Sequence, residues 1–493
     1  MEVEIEAPLA PDGGWGWTAL TASFIAGTIL TGYVKGIGVL LVEWQLYFDI
    51  GAKEVAWIGM TIGCIYKTAG VMASSLSVRF GSRVVVIAGG IIMSVSLLVA
   101  SFTSDIWHLN VTNVFSGIGI SFGYTPSLTV IGYYFHKRLG FANGVAFSGS
   151  GLGLIVMPPL MQLLLNKYDW RSTMQIVGGL SLLVCLCGLL MRPTEREKFW
   201  MVKQTRERKR SMIAMSLSEQ HKQTPNFSPI STTNTTPSDK TKSSRITNCL
   251  FSVIKTGGFH LICENTSLNY LCFAFMWAAF GSYSTTVFFN AKAVFDVGIS
   301  PLKASYLVSA IGVGDLMSRM THGIFLDRKW ISPTTMYILF NFVAAATNLV
   351  NPFANSFVTL LACALVFGAS NGPITSLQLM VIRGVLPPGD VSVGFGVLLF
   401  FNGFSLVAGV FIMGILFDAT GNYDLSFAVA GGSFLFSGSL ILVRKLYKMK
   451  LFKAVQKNGV SGTQQDDDVK SSDGLPDTAV ENNNIFVVSD FKN

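Results

Sequence analysis

Charge is what this sequence has least of. Only 13% of its 493 residues are Asp, Glu, Lys or Arg, while half are hydrophobic; soluble domains carry about 25% charged residues. So little charge cannot cover a water-facing surface, so most of the surface must face lipid. Histidine is also scarce: the five residues are scattered, with no Ser, Cys or Asp partner pattern, which argues against an enzyme. No G-x-x-x-x-G-K-[ST] word occurs, which excludes the phosphate cradle of an ATP-driven pump. The seven cysteines are an odd number, and Cys64, Cys185, Cys187, Cys272 and Cys363 fall in apolar stretches, so no disulfide framework is expected. No metal-ligand spacing appears, and neither a metal nor another cofactor is expected. The N-terminus, with Glu2, Glu4 and Glu6 before Pro8 and Pro11, lacks the basic start and small-residue cleavage site of a signal peptide. The formal charge of +8 comes from basic residues set between apolar stretches, which suits lipid head groups rather than nucleic acid.

What is present is a series of about twelve apolar stretches, each long enough to cross a ~30 Å hydrocarbon core. Six lie near 17–41, 54–77, 83–104, 108–134, 140–165 and 172–191, and six near 267–291, 302–326, 333–352, 357–385, 392–417 and 425–445. The predicted fold is an all-α membrane protein of twelve transmembrane helices in a 6+6 arrangement. Its parts are an N-terminal segment (1–16), a first half (17–191), a linker (192–258), a second half (259–447) and a tail (448–493). The Ser, Thr, Asn and Pro content of the linker, and Asp466, Asp467 and Asp468 in the tail, read as disordered. Basic loops at Arg79/Arg83, Lys137/Arg138 and Arg328/Lys329 alternate with loops poor in basic residues, which places both termini in the cytoplasm. Lys167 and Arg171 are exceptions on the outer side.

This 6+6 plan resembles the major facilitator transporters, whose halves are structural repeats around a midplane site. Gly323, Asp327 and Arg328 form G-x-x-x-D-R after the eighth stretch, and Arg79 and Arg83 occupy the matching loop after the second. These four charged residues are candidates for a gating loop at the cytoplasmic side; ordinary positive-inside charge accounts equally well for Arg79 and Arg83.

Two words narrow the resemblance. Asp12-Gly13-Gly14-Trp15-Gly16-Trp17 stands just before the first stretch, where the acid can cap a helix start and the tryptophans suit the interface. Tyr134-Phe135-His136-Lys137-Arg138, followed by Ala142-Asn143-Gly144, opens the fifth. Together they resemble signatures of the monocarboxylate transporters (solute carrier family 16), and the stretches four to six look closest to the branch that includes monocarboxylate transporter 12.

Charges within spans are costly and default to function. Asp315 and Arg319 are four residues apart in the eighth stretch, on one helix face, and can pair. Lys35 lies about 27 Å beyond Trp17 along a helix at 1.5 Å per residue, where a lysine can either serve a site or snorkel outward. The resemblance favours function, since proton-coupled family members carry a lysine near this point and the same Asp-x-x-x-Arg. Lys67, mid-span, either lines the cavity or lies against a carbonyl. Tyr33, Tyr124 and Phe367 are further cavity candidates, although packing suits each of them, as it suits Trp277 and Tyr283. Arg383 and Lys292 read as span-end residues.

The resemblance implies a plasma-membrane secondary transporter of lactate- or pyruvate-like monocarboxylates, coupled to protons by symport and working by alternating access. In that reading Lys35, Asp315 and Arg319 hold substrate and proton, the bilayer is the surrounding partner, and a single-span immunoglobulin-type glycoprotein is an implied ancillary partner. A facilitative or sodium-linked carrier of creatine or another small organic acid, and a non-transporting sensor, remain the alternatives.

Overall fold

The computed structural model describes residues 7–49, 52–206, 210, 261–262 and 265–463. Most of the linker and the acidic end of the tail therefore lie outside the described residues. The chain divides into two compact units, 1–442 and 443–493; within the second, the described residues up to Thr463 are helical.

Among the described residues every regular element is helical. The first half comprises α1 (Trp15–Phe48), α2 (Ala52–Thr68), α3 (Gly70–Phe80), α4 (Ser82–Ala100), α5 (Ile106–Thr129), the single turn α6 (Ile131–Tyr134), α7 (Leu139–Lys167) and α8 (Trp170–Leu190). A further helix, α9, covers 195–206. The second half comprises α10 (Thr266–Phe295), α11 (Pro301–Asp327), α12 (Pro333–Val350), α13 (Phe357–Arg383), α14 (Val391–Thr420) and α15 (Asp424–Thr463). Ten helices among the described residues are long and apolar enough to cross a membrane. The remaining two of the twelve spans are α2–α3, joined at Ala69, and α11. The backbone at Ala69 stays in the α-helical region with hydrogen bonds on both sides, and α11 is continuous but polar. Ala69 falls two residues after Lys67, and α11 carries Asp315, Arg319 and His322. Charge at membrane depth is tolerated where it faces protein or a cavity.

Helix starts follow local chemistry. Asp169 caps α8 by accepting from Ser172 N at 2.9 Å, Asn265 caps α10 through Leu268 N at 3.1 Å, and Ser356 with Thr359 forms a capping box on α13. Pro301 and Pro333 occupy first turns, where a missing N–H costs nothing. Within the first half α1 packs along α7 and α4 against α5 and α8; within the second, α13 packs against α11 and α12, and α10 against α14. The halves meet along two seams, α7 with α11 and α14 with α2–α3.

The beginning of the linker, expected to be disordered, is ordered in α9. Glu197 on this helix is 3% exposed and accepts from Ser82 N at 2.9 Å, at the start of α4. Burial pushes the Glu197 carboxyl up, against the opposing pull of the Ser82 donors. Gln204, two turns later, donates to Asp390 at 2.9 Å, at the start of α14. One short helix thus ties the two halves together at the end of the bundle that bears the linker, here called the linker end.

The two signature words meet at the same end. Asp12 was expected to cap α1, but the N-cap is Gly14, which takes a φ of 57° that suits glycine. Asp12 instead accepts from His136 N at 2.6 Å and Lys137 N at 2.7 Å, and its own N–H donates to the Tyr134 carbonyl at 2.9 Å. Burial would raise its pKa, but donors from residues 136, 137 and 138 outweigh that and hold the carboxyl below the usual range. Trp17 packs edge-on against Phe135 with ring centres 5.2 Å apart, and Trp15 donates to the Leu190 carbonyl at 2.7 Å while the Arg192 guanidinium covers its ring. The Tyr134 hydroxyl donates to the Arg192 carbonyl. Gly13 accepts from Gly16 N at 3.1 Å to close the turn. Both words are therefore a clasp that fastens the entry of α1 to the α6–α7 turn. Asp12→Ala removes two charge-assisted bonds and should cost about 1–3 kcal/mol. Thermal unfolding of the full chain in detergent checks this, and an unchanged midpoint would dismiss the clasp.

Candidate functional site

The α7–α11 seam holds the most polar contact between the halves. Asp315 and Arg319 are each 6% exposed. Nη2 of Arg319 donates to Oδ1 of Asp315 at 2.9 Å; Nε lies 2.9 Å from Oδ2 but is not aligned for a hydrogen bond, so the ion pair carries one hydrogen bond and a close charge contact. Nη1 crosses the seam, donating to the Phe147 carbonyl of α7 at 3.0 Å. Helix spacing explains the pairing: residues four apart share a face. Close approach explains the crossing, because a Cβ at Gly144 would overlap the Arg319 carbonyl, and only glycine lets α7 come this near. The signature glycine is therefore a spacer for the ion pair.

Other charges gather around it. Lys35 is exposed yet lies within electrostatic reach of Asp315, Lys67 and Arg319. Lys35 therefore stands beside the charges of the pair rather than apart from them. Lys67 Nζ sits 4.6 Å from the Tyr66 ring centre and 5.8 Å from that of Tyr283, a cation over two aromatic faces on opposite halves. Its cationic end thus faces ring surfaces from both halves. Tyr124, stacked edge-on with Tyr66 at 6.0 Å, lies within reach of both Asp315 and Arg319. The set contains three cations, Lys35, Lys67 and Arg319, and one acid, Asp315.

Two further cavity candidates are packed into the core. Tyr33 is fully buried, because two residues along a helix turn it about 200° away from Lys35. Phe367 is also fully buried and packs against Phe434, 6.2 Å away, within the second half. Lys292, read as a span-end residue, is 1% exposed, donating to the Asn351 carbonyl at 2.8 Å and pairing with Asp424 at 3.0 Å. It fastens α10 to the loop after α12 and to the start of α15.

Sequence reading missed Tyr66 and His322. His322 is 2% exposed; its Nδ1 lies 3.0 Å from the Ser318 carbonyl and its Nε2 3.1 Å from the Ser376 hydroxyl. The carbonyl contact requires a proton on Nδ1, so Nε2 accepts from Ser376. The signal was present in the spacing: seven residues separate Asp315 from His322, two turns on the same face.

The linker end is closed between the halves. Asp327, at the last residue of α11, accepts from Gly140 N at 2.7 Å and Phe141 N at 2.8 Å, the free donors of the first turn of α7. Ser77 and Ser392 lie 3.2 Å apart across the other seam. The expected gating residues divide accordingly. Asp327 bridges the halves, whereas Arg79 and Arg328 rest on the neighbouring rings of Phe80 and Trp330, and no ion pair among the described residues involves Arg79, Arg83 or Arg328. Lys137 and Arg138 have exposed side chains; their backbone serves the Asp12 clasp and the first turn of α7.

Comparison with known proteins bears on this arrangement. The family model of the Major Facilitator Superfamily matches residues 19–290 and 266–466. Monocarboxylate transporter 12 of Rattus norvegicus is 29% identical over 443 residues, covering 89% of this chain and 87% of the relative. Monocarboxylate transporter 2 of Mesocricetus auratus is 29% identical over 488 residues, covering 97% and 95%. Among solved structures, the proton:xylose symporter XylE superposes with a TM-score of 0.64 at 15% identity, over 87% of this chain and 95% of that one. At that identity the likeness concerns the fold.

The closed linker end predicts a cross-link. Ser77→Cys with Ser392→Cys should form a disulfide on oxidation, holding the two halves together after proteolytic cutting of the linker. Neither single variant should do so. Halves that separate in the oxidised double variant would contradict the closure.

Proposed function

We propose, from the premise that the chain belongs to the Major Facilitator Superfamily, that this multi-pass membrane transporter carries small monocarboxylates together with a proton by alternating access. It is a carrier rather than an enzyme, as its curated relatives are. The observation that carries the substrate class is the charge set: three cations and one acid gather at a seam between the halves, and the acid is already engaged by Arg319. Such a set favours an anion. Creatine, with its own guanidinium, would meet two uncompensated cations.

The mechanism follows from the Asp315–Arg319 pair, in which one guanidinium N–H is left without a hydrogen-bond partner. Lys35, beside the pair, attracts the carboxylate. A proton arriving with it neutralises Asp315, which then competes less strongly for the guanidinium. Arg319 turns its fork to the substrate carboxylate, a geometry that lysine cannot copy. Replacing one carboxylate by another keeps the buried guanidinium paired, which matters because an unpaired buried partner costs about 3–5 kcal/mol. Arg319 also holds the Phe147 carbonyl of the other half, so a change in its partners acts directly on the seam. The basic loops at the linker end favour placing that end, and both termini, in the cytoplasm, with the carrier in the plasma membrane.

Asp315→Asn imitates the neutral acid permanently. Labelled lactate or pyruvate uptake by expressing cells should lose its acid stimulation in this variant at normal surface expression; wild-type acid stimulation would remove Asp315 from the mechanism. Arg319→Lys keeps the charge but not the fork, and should lower uptake by about tenfold or more, the equivalent of one lost charge-assisted bond.

A further inference from the structure

A second pair of arginines stands at the linker end, away from the ion pair. Arg383, the last residue of α13, and Arg196, in the first turn of α9, both line a cavity of about 160 Å³ between the halves. Thr129, Tyr133, His136 and Ser392 complete its polar lining. The cavity lies beyond the Ser77–Ser392 contact and under α9, the helix that ties the two halves together.

Both guanidiniums are underused. Arg383 makes only long contacts, Nη2 to the Thr129 carbonyl at 3.4 Å and Nη1 to the Met380 sulfur at 3.8 Å. Arg196 Nε is buried without a hydrogen-bond partner. Among the described residues neither arginine is in an ion pair. The two carboxylates nearby, Glu197 and Asp390, lie close to Tyr133 but are engaged, Glu197 by Ser82 N and Asp390 by Gln204. Two like charges facing one small space repel, and an anion between them turns that repulsion into two charge-assisted contacts. The volume suits a small organic anion, since a cavity of about 150 Å³ holds a benzene-sized molecule.

We propose that Arg383 and Arg196 form a second anion-binding site at the linker end, which takes a small carboxylate through two guanidiniums and the hydroxyls of Tyr133 and Ser392. That its anion is the transported one rests on the function proposed above; the geometry of the site does not. A carboxylate that has left Arg319 toward the linker end would pass this station.

The test uses the full chain in detergent, with sodium pyruvate as probe and sodium chloride holding ionic strength constant, and reads the unfolding midpoint against pyruvate concentration. In an Arg319→Gln background, which disables the ion-pair site, a saturable rise in midpoint should persist. Adding Arg383→Gln or Arg196→Gln should raise the half-saturating pyruvate at least tenfold, and adding Arg383→Lys should raise it less. Arg196→Gln serves if Arg383→Gln does not fold, because its Nε holds nothing in the structure. The proposal is overturned if Arg319→Gln abolishes the pyruvate response, if neither linker-end substitution shifts the curve, or if chloride alone gives the same rise. If instead the ion-pair site does not bind carboxylates, wild type and Arg319→Gln will titrate alike while the linker-end substitutions still shift the curve. That outcome separates failure of the earlier reading from failure of this one.

Discussion

A carboxylate and a guanidinium withdrawn from water at a helix crossing impose requirements on everything around them. Asp315 and Arg319 must satisfy one another, because desolvating either alone is expensive. A further guanidinium contact comes from the facing helix, where the Phe147 carbonyl accepts from Nη1. That contact demands a close crossing, which Gly144 permits. The signature glycine, the helix spacing and the seam between the halves are therefore consequences of one pair of charges. The same dependence makes the pair suited to a switch: a proton on the acid changes what the arginine can hold, and the arginine is part of the seam.

The linker end has a different character. Its contacts are backbone donors captured by carboxylates: Asp12 on residues 136 and 137, Asp327 on residues 140 and 141, Glu197 on residue 82. Each is an end cap made by a distant segment rather than by the helix's own residues. Such contacts are local and specific, and each can be released without unfolding a helix. Of these the Asp327 contact crosses the halves, which fits an end of the bundle that closes in one state and opens in another, whereas the pair of buried Lys292 with half-exposed Asp424 holds α10 and α15 together within one half.

Much of this was legible in the sequence, and the exceptions have physical causes. Span number, the 6+6 order and the Asp315–Arg319 pair follow from apolar length and from i, i+4 spacing, both local properties. For Lys35 the sequence left a site and a snorkelling role open, and only the folded chain shows the other charges beside it. For Tyr33 and Phe367 aromatic content suited packing as well as a cavity, and both are fully buried in the core; facing is set by angular position, which places Tyr33 about 200° from Lys35. Asp12 looked like a cap for the helix that follows it and caps the α6–α7 turn instead, a contact over 124 residues that no local rule reaches. The order in α9 was hidden for the same reason, since Glu197 and Gln204 find their partners in α4 and α14.

The central claim is that proton and carboxylate move together through the Asp315–Arg319 seam. Its most direct measurement is lactate accumulation in proteoliposomes of the purified chain, with an imposed inward proton gradient and the membrane potential clamped at zero. The account predicts accumulation above the external concentration, collapsing when a protonophore removes the gradient. Lactate that equilibrates without accumulating, at a rate indifferent to the gradient, would contradict it.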